Sequence, residues 1–325
     1  MPFSARLRRS WLSLSLTVLL AASAATVNYL HWDDRALLWF KEHSLPNAER
    51  VASIWLPGYH VTLQGKPLAG LENDEASDLA YNPVTGTLFT VTGKTPMLVE
   101  LSRTGEVLRR IALKGFANPE GVAVLENGNI AVTDERKRSL SIFELDPLTR
   151  ELNLADAHPF DLGFPDSGNK GFEGIAWDPA QGRLLLGKER EPTAMFSLSS
   201  DGNQHLGAAL QPLPDYGLGM RNLSALSVDP RTGHILVLSA QSNLLLELDE
   251  HGQPLSFISL LGGMNGLDKR IPRAEGVAMD EEGTIYMVSE PNLFYVFRKG
   301  DAQAAHQADL GFTHSMLHIR GLVAR

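Results

Sequence analysis

Short apolar runs of strand length, each closed by a polar, glycine-containing turn, recur along most of the chain. The clearest is Glu275-Gly276-Val277-Ala278-Met279-Asp280, which passes through Glu281-Glu282-Gly283 into the apolar run Ile285-Tyr286-Met287-Val288. Altered copies begin at Ser77, Glu120, Glu173 and Ser224, at intervals of about fifty residues, a spacing that marks a repeat architecture. Each copy leads to a glycine (Gly86, Gly128, Gly182, Gly233 or Gly283) and then to a second apolar run. Turn chemistry such as Asn82-Pro83-Val84-Thr85-Gly86 or Asp229-Pro230-Arg231-Thr232-Gly233 between two such runs predicts a β-hairpin.

A third run follows in every repeat: 98–101, 140–145, 194–198, 244–248 and 293–297. A fourth comes after a polar turn such as Arg103-Thr104-Gly105-Glu106. Four strands per repeat is the pattern of a propeller blade, so the chain is expected to be all-β: a five-bladed β-propeller of four-stranded antiparallel blades over 58–300. His60-Val61-Thr62-Leu63 precedes the first hairpin and supplies the outer strand that the last blade lacks. The ring should therefore close by pairing its two ends, because an open solenoid of the same strands would leave both ends uncapped.

The first residues are a separate unit. Arg6, Arg8 and Arg9 precede a stretch from Ser10 to Trp32 without a charged residue. Two readings fit 1–32, a secretory signal cleaved near Ala22-Ser23-Ala24 or an uncleaved transmembrane helix with Tyr29 and Trp32 at its far interface; the anchor is preferred. Either sends the remainder outward by the positive-inside rule. Residues 33–57 then read as a juxtamembrane helix and linker, and 301–325 as a C-terminal extension without a motif.

Composition narrows the function. A chain of 325 residues, 43% hydrophobic, has ample material for a core. Its formal net charge of -9 argues against nucleic-acid binding, which needs a basic face. The absence of cysteine excludes disulfides, thiolate metal sites and a lipidated N-terminal cysteine.

The candidate chemistry lies at one end of the hairpins. Before the first strand of the five copies stand Ser77, Glu120, Glu173, Ser224 and Glu275, and after the second stand Gly93, Glu135, Glu189, Ala240 and Glu290. The two columns match, with glutamate at both places or at neither. Antiparallel strands bring the two positions together, and first strands line a propeller's channel, so Glu120, Glu135, Glu173, Glu189, Glu275 and Glu290 are expected to crowd one mouth. Two unit charges about 4 Å apart repel by roughly 4 kcal/mol at an effective dielectric of 20. Bound divalent cations, salt bridges or raised pKa values could each relieve that repulsion. Oxygen-only donors favour Ca2+ as the cation, with the six glutamates as ligands. The competing structural reading ties the glutamates to backbone amides and to Arg136, Lys188, Arg190, Arg221 or Arg273. Asp178, Asp229 and Asp280 belong to turns at the opposite mouth. Long connections, 155–172, 207–223 and 261–274, open on the glutamate mouth and offer Asn169, Arg221, Asn222 and Arg273 for ligand contact, with Asp166, Lys170, Tyr216 and Asn265 beside them.

Thr133-Asp134-Glu135-Arg136, Gly171-Phe172-Glu173-Gly174, Leu236-Val237-Leu238-Ser239, and the run from Ala274 to Asp280 with Val288-Ser289-Glu290-Pro291-Asn292 give the chain a family likeness. From Tyr59 to Phe297 it resembles the SdiA-regulated, YjiK-like family of bacterial envelope proteins. The resemblance implies a membrane-anchored, calcium-binding five-bladed propeller that mediates interactions, without an established catalytic activity. It also implies a single-pass protein of the bacterial inner membrane with the propeller on the periplasmic side, or a periplasmic protein if the signal is cleaved. The expected function is therefore a non-catalytic module with an unidentified protein or small ligand at the glutamate mouth. The alternative is a calcium-dependent hydrolase of lactones or phosphate esters, using the metal as Lewis acid and a nearby base.

Overall fold

Five β-sheets stand around a common axis in the computed structural model, which describes residues 3–29, 32–163, 171–190, 192–214 and 220–300. The ring begins with β1 (Tyr59–Pro67). Blade 1 contains β2 (Ala76–Asn82), β3 (Thr87–Thr92), β4 (Met97–Leu101) and β5 (Val107–Lys114). Blade 2 has β6 (Pro119–Val124), β7 (Ile130–Asp134) and β8 (Ser139–Phe143), then β9 (Glu151–Asn153), which leaves for blade 1, and β10 (Phe160–Asp161). Blade 3 is built from β11 (Phe172–Asp178), β12 (Arg183–Lys188), β13 (Ala194–Ser199) and β14 (Gln211–Pro212). β15 (Ala225–Val228), β16 (Ile235–Ser239), β17 (Leu244–Leu248) and β18 (Pro254–Ser259) form blade 4. β19 (Ala274–Met279), β20 (Ile285–Ser289) and β21 (Leu293–Lys299) form blade 5, completed by β1.

The closure runs as the sequence suggested. β1 pairs antiparallel with β21, Tyr59 opposite Lys299 and Pro67 opposite Leu293, so the last blade takes its outer strand from the start of the ring. Blade 1 departs from the four-stranded expectation. β9 adds to β5 as a fifth, parallel strand, with Ala112 opposite Glu151, and covers an edge that would otherwise expose unpaired backbone groups.

The inner strands β2, β6, β11, β15 and β19 contact one another in that order around the channel. The apolar core fills the spaces between blades, with a separate layer at each junction. Leu236, Leu238, Val277 and Met287, for example, meet between blades 4 and 5. Full burial of one such side chain is worth about 1.5–3 kcal/mol, so the ring is held by side-to-side packing of its sheets. At the hairpin-turn mouth, Asp178, Asp229 and Asp280 are buried and accept backbone N–H groups within their own turns: Gln181 at 3.2 Å, Arg231 at 3.0 Å, and Thr284 at 2.8 Å respectively. They are turn residues, as their position suggested.

Three helices precede the ring: α1 (Phe3–Tyr29), α2 (Trp32–Ser44) and α3 (Asn47–Ala52). Among the described residues no helix is long and apolar enough to cross a membrane. In α1 the side chains described are those of 13–27, where serines and threonines interrupt the leucines, and all of them from 13 to 26 are exposed. The segment expected as juxtamembrane helix and linker packs on blade 4. Leu38, Ile54 and Leu56 are buried in the layers bordering that blade, and the Ile54 and Leu56 amides donate to Glu247 Oε1 at 2.7 Å and Ser256 Oγ at 2.9 Å. The C-terminal extension, 301–325, lies outside the described residues.

Candidate functional site

Glycine follows the first-column glutamate because the inner strands approach each other closely there. A Cβ on Gly276 would sit 2.5 Å from the Asp78 carbonyl carbon, and one on Gly174 would sit 2.9 Å from Ala225 backbone. The glutamates themselves occupy bulges. In β6 the register passes from Pro119 opposite Asp134 to Gly121 opposite Thr133, leaving Glu120 as the extra residue. Glu173 and Glu275 are the extra residues of β11 and β19 in the same way. A bulge re-aims a side chain, and here three are turned alike at one end of the channel. The second-column residues are fixed by their own amides, which donate to carbonyls beside the partner glutamate: Glu135 to Asn118 at 2.9 Å, Glu189 to Gly171 at 3.0 Å, Glu290 to Arg273 at 3.0 Å.

The result is a cavity of about 580 Å³ at one mouth, lined by all six glutamates. Its floor is acidic and half-buried to buried, and exposed arginines stand at its rim. Several carboxylates have partners. Asn118 Nδ2 donates to Glu120 Oε1 at 2.6 Å and to Glu135 Oε2 at 3.0 Å, and the Gly171 amide donates to Glu135 Oε1 at 3.0 Å. Arg190 pairs with Glu189 Oε1 at 2.6 Å. Arg273 lies 3.5 Å from Glu275 Oε1 and also pairs with Glu290. Glu189 Oε2, by contrast, is buried without a hydrogen-bond partner among the described residues.

Burial, reinforced by the neighbouring carboxylates, raises the proton affinity of four of the glutamates. Burial pushes Glu120 up to about 7, opposed by its bond to Ser77 and reinforced by Glu135 and Glu275. Glu290 is likewise pushed up to about 7, chiefly by burial, with Arg273 opposing. Glu275 is raised by burial against the pull of Ser224 and Arg273. Glu173 is raised furthest above the usual carboxylate range, first by burial and then by Glu275, Glu189, Glu120 and Glu135. Its strongest charged neighbours are therefore all carboxylates. Among the described residues no three His, Asp or Glu side chains converge where they could hold a metal ion.

The residues expected to contact a ligand have different positions. Arg221 and Arg273 stand on the cavity. Asn222 lines it too, but its side chain accepts from Ser239 Oγ at 2.9 Å and the Gln241 amide at 3.0 Å, and donates to Ser224 Oγ at 3.0 Å. Asn265 is engaged with the Tyr59 carbonyl at 3.0 Å, away from the cavity. Asn169 lies outside the described residues, as do Asp166, Lys170 and Tyr216. No histidine among the described residues lines the cavity.

Sequence reasoning missed three residues. Glu75 and Asn118 line the cavity; each lies two positions before a first-column residue, Ser77 and Glu120, a shared offset that could have flagged them. Asp78 is fully buried in the channel, at positive φ, where three other copies have glycine. Its Oδ2 accepts the amides of Val122 at 3.0 Å and Ile175 at 3.2 Å, joining blades 1, 2 and 3.

The strand order and this cavity define a five-bladed propeller with a charged site at one mouth of its channel. The chain belongs to the SdiA-regulated family, whose model matches residues 51–298. Among solved structures it is similar to a chain of a nidogen/laminin complex, at 17% identity over 71% of this chain and 84% of that one, with a TM-score of 0.45. A luciferin-regenerating enzyme matches at 11% identity over 75% of this chain and 95% of its own, TM-score 0.43. Virginiamycin B lyase from Staphylococcus aureus matches at 10% identity over 76% of each chain, TM-score 0.41.

Proposed function

We propose that the protein is a non-catalytic binding module whose glutamate mouth takes a calcium ion and, over it, an unidentified protein or small ligand. The observation that carries this reading is Glu173, half-buried in the cavity wall with four carboxylates as its strongest charged neighbours. Such a group calls for a cation, and Arg190 and Arg273 are already directed at Glu189, Glu275 and Glu290. The donors are oxygens throughout, and among the described residues the buried Glu189 Oε2 has no hydrogen-bond partner, so the chemistry of the donor set suits a hard divalent ion although the carboxylates do not converge on one point in this structure. Glu120, Glu173, Glu189 and Glu275 would hold it. When bound, the ion supplies positive charge to a ligand at the mouth; Arg221 and Arg136 at the rim orient acidic groups of that ligand.

In this reading α1 anchors the propeller to the bacterial inner membrane, with the ring on the periplasmic side. Leu14, Leu16, Val18, Leu19 and Leu20 are each 58–62% exposed on that helix, and Arg6, Arg8 and Arg9 precede them. A second reading rests on Glu120 and Glu290. Carboxyls pushed to about 7 can exchange protons near neutrality, as the base of a calcium-dependent hydrolase must.

Thermal unfolding of the full chain with chelator and with saturating calcium tests the binding reading. Calcium at a hundredfold excess over Kd stabilises by about 2.7 kcal/mol if the site exists. No shift at millimolar calcium removes it. Turnover of a lactone or phosphate ester that chelation abolishes would favour the hydrolase.

A further inference from the structure

We infer that the turn mouth of the channel is a second binding site, which takes a small organic cation with an apolar body and holds its charge between Glu126 and Trp177. The inference is independent of the calcium reading of the glutamate mouth.

A cavity of about 250 Å³ opens at the turn mouth and shares no lining residue with the glutamate cavity. That volume exceeds the roughly 150 Å³ that holds a benzene molecule in an apolar protein cavity. Buried Leu79, Ile175 and Leu226 line it, one each from blades 1, 3 and 4. Two columns of the repeat complete the wall. Near the ends of the inner strands stand Tyr81, Val124, Trp177, Val228 and Met279, and two positions later, in the turns, stand Pro83, Glu126, Pro179, Pro230 and Glu281. The charged residues of the lining are thus two glutamates, and in both cases the next blade around the ring supplies the aromatic residue. Glu281 of blade 5 precedes Tyr81 of blade 1, and Glu126 of blade 2 precedes Trp177 of blade 3. The three prolines are followed instead by Val124, Val228 and Met279.

At the first of these junctions the protein supplies its own cation. Arg103, in the turn after β4, lies over the Tyr81 ring with its guanidinium carbon 5.2 Å from the centroid, within cation–π range. Its Nη2 donates to Tyr81 Oη at 2.5 Å and stands 3.8 Å from Glu281 Oε1, while Nη1 lies near Asp280 and Glu282. The second junction has the carboxylate and the ring without the arginine. Blade 3 builds the same turn. Ser102 Oγ accepts the amides of Thr104 and Glu106 at 3.2 and 3.0 Å, and Asp201 Oδ1 accepts those of Asn203 and His205 at 2.8 and 3.2 Å. The residue after the accepting one is Arg103 in blade 1 and Gly202 in blade 3. A Cβ on Gly202 would lie 3.2 Å from Glu126 Oε2 and 3.3 Å from Trp177 Cζ2, so the glycine leaves open the space between carboxylate and indole. Asn127 donates to Asn203, which ties the two turns that border this space.

Among the described residues no cation pairs with Glu126, whose side chain is exposed. Other arginines of this mouth are engaged, Arg183 with Asp178 at 2.9 Å and Arg231 with Asp229 at 2.8 Å. A carboxylate beside an aromatic ring attracts a cation, and the adjoining apolar cavity accepts the hydrocarbon part of the same molecule. The ligand's ammonium or guanidinium group thus occupies the place that Arg103 fills at the other junction.

Titration calorimetry of the full-length chain with phenethylamine, in chelator and again in saturating calcium, tests the assignment. One equivalent should bind in both conditions, and the matched 2-phenylethanol and 3-phenylpropanoate should bind about tenfold more weakly or not at all. Glu126→Gln and Trp177→Leu should each weaken amine binding by about fivefold or more. Circular dichroism checks their fold, and should Trp177→Leu unfold, Glu126→Gln, at an exposed position, decides alone. No amine binding at millimolar concentration overturns the site. Equal binding of amine, alcohol and carboxylate overturns the role of Glu126. Amine binding that calcium abolishes, or that Glu126→Gln leaves unchanged, belongs to the glutamate mouth and overturns the assignment. None of these failures touches the calcium reading, because Glu126 and Trp177 line the turn-mouth cavity and not the glutamate cavity.

Discussion

Replacing Glu120 with glutamine tests the electrostatics of the mouth by a change of sign. Glu120 is pushed from 4.5 to about 7, mainly by burial. Between those values the folded protein binds more protons than the unfolded chain, so stability falls as pH rises through the window and levels off above it. Each pKa unit corresponds to about 1.36 kcal/mol, so ionising Glu120 costs about 3 kcal/mol at pH well above 7. Glu120→Gln keeps an oxygen for Asn118 Nδ2, now 2.6 Å away, and removes the charge. In chelator above pH 7 the variant should be more stable than its parent by up to about 3 kcal/mol, each kcal/mol being worth roughly 2–4 °C in Tm for a domain of this size. Near pH 4, where Glu120 is neutral in both states, the difference should vanish. Thermal unfolding followed by circular dichroism at the two pH values is sufficient. A variant that melts below its parent at high pH, or a difference that does not change with pH, would mean that the carboxylate is held by partners, and the repulsion argument fails.

Two further substitutions separate other parts of the account. Arg273→Gln frees Glu275 and Glu290; because the arginine side chain is 67% exposed, metal-free stability should fall by no more than about 1 kcal/mol, while calcium should bind more tightly by titration calorimetry. Weaker calcium binding in that variant would place Arg273 on the ligand side. Leu56→Ala, at a fully buried position outside the ring, should lower the stability of the whole propeller by about 2–5 kcal/mol in denaturant unfolding, and an unchanged midpoint would make the segment before β1 a mere tether.

The hairpins were legible because apolar runs and turn residues are local signals, and the closure followed from counting strands. The gathering of six glutamates around one cavity was legible for the same reason: antiparallel pairing makes neighbours of two columns about fifteen residues apart. The bulges were not, since one extra residue in a strand leaves the apolar pattern nearly unchanged. Nor was β9, whose three residues pair with a strand of the previous blade. The partners of Glu247, from residues 54 and 55 at the far end of the sequence, and the bridging of Glu120 and Glu135 by Asn118 depend on side-chain positions that only the folded backbone sets. Asp78 stood in plain view where glycine belongs, but its role required three blades to meet.

Equilibrium dialysis of calcium against the full chain and its Glu173→Gln variant tests the central claim most directly. The parent should bind calcium saturably at neutral pH, and the variant, lacking the carboxylate whose strongest charged neighbours are four others, should lose most of that binding while keeping its fold. A parent that binds no calcium at millimolar concentration, or a variant that binds it equally well, would contradict the claim and leave the glutamates as structural ties around the channel.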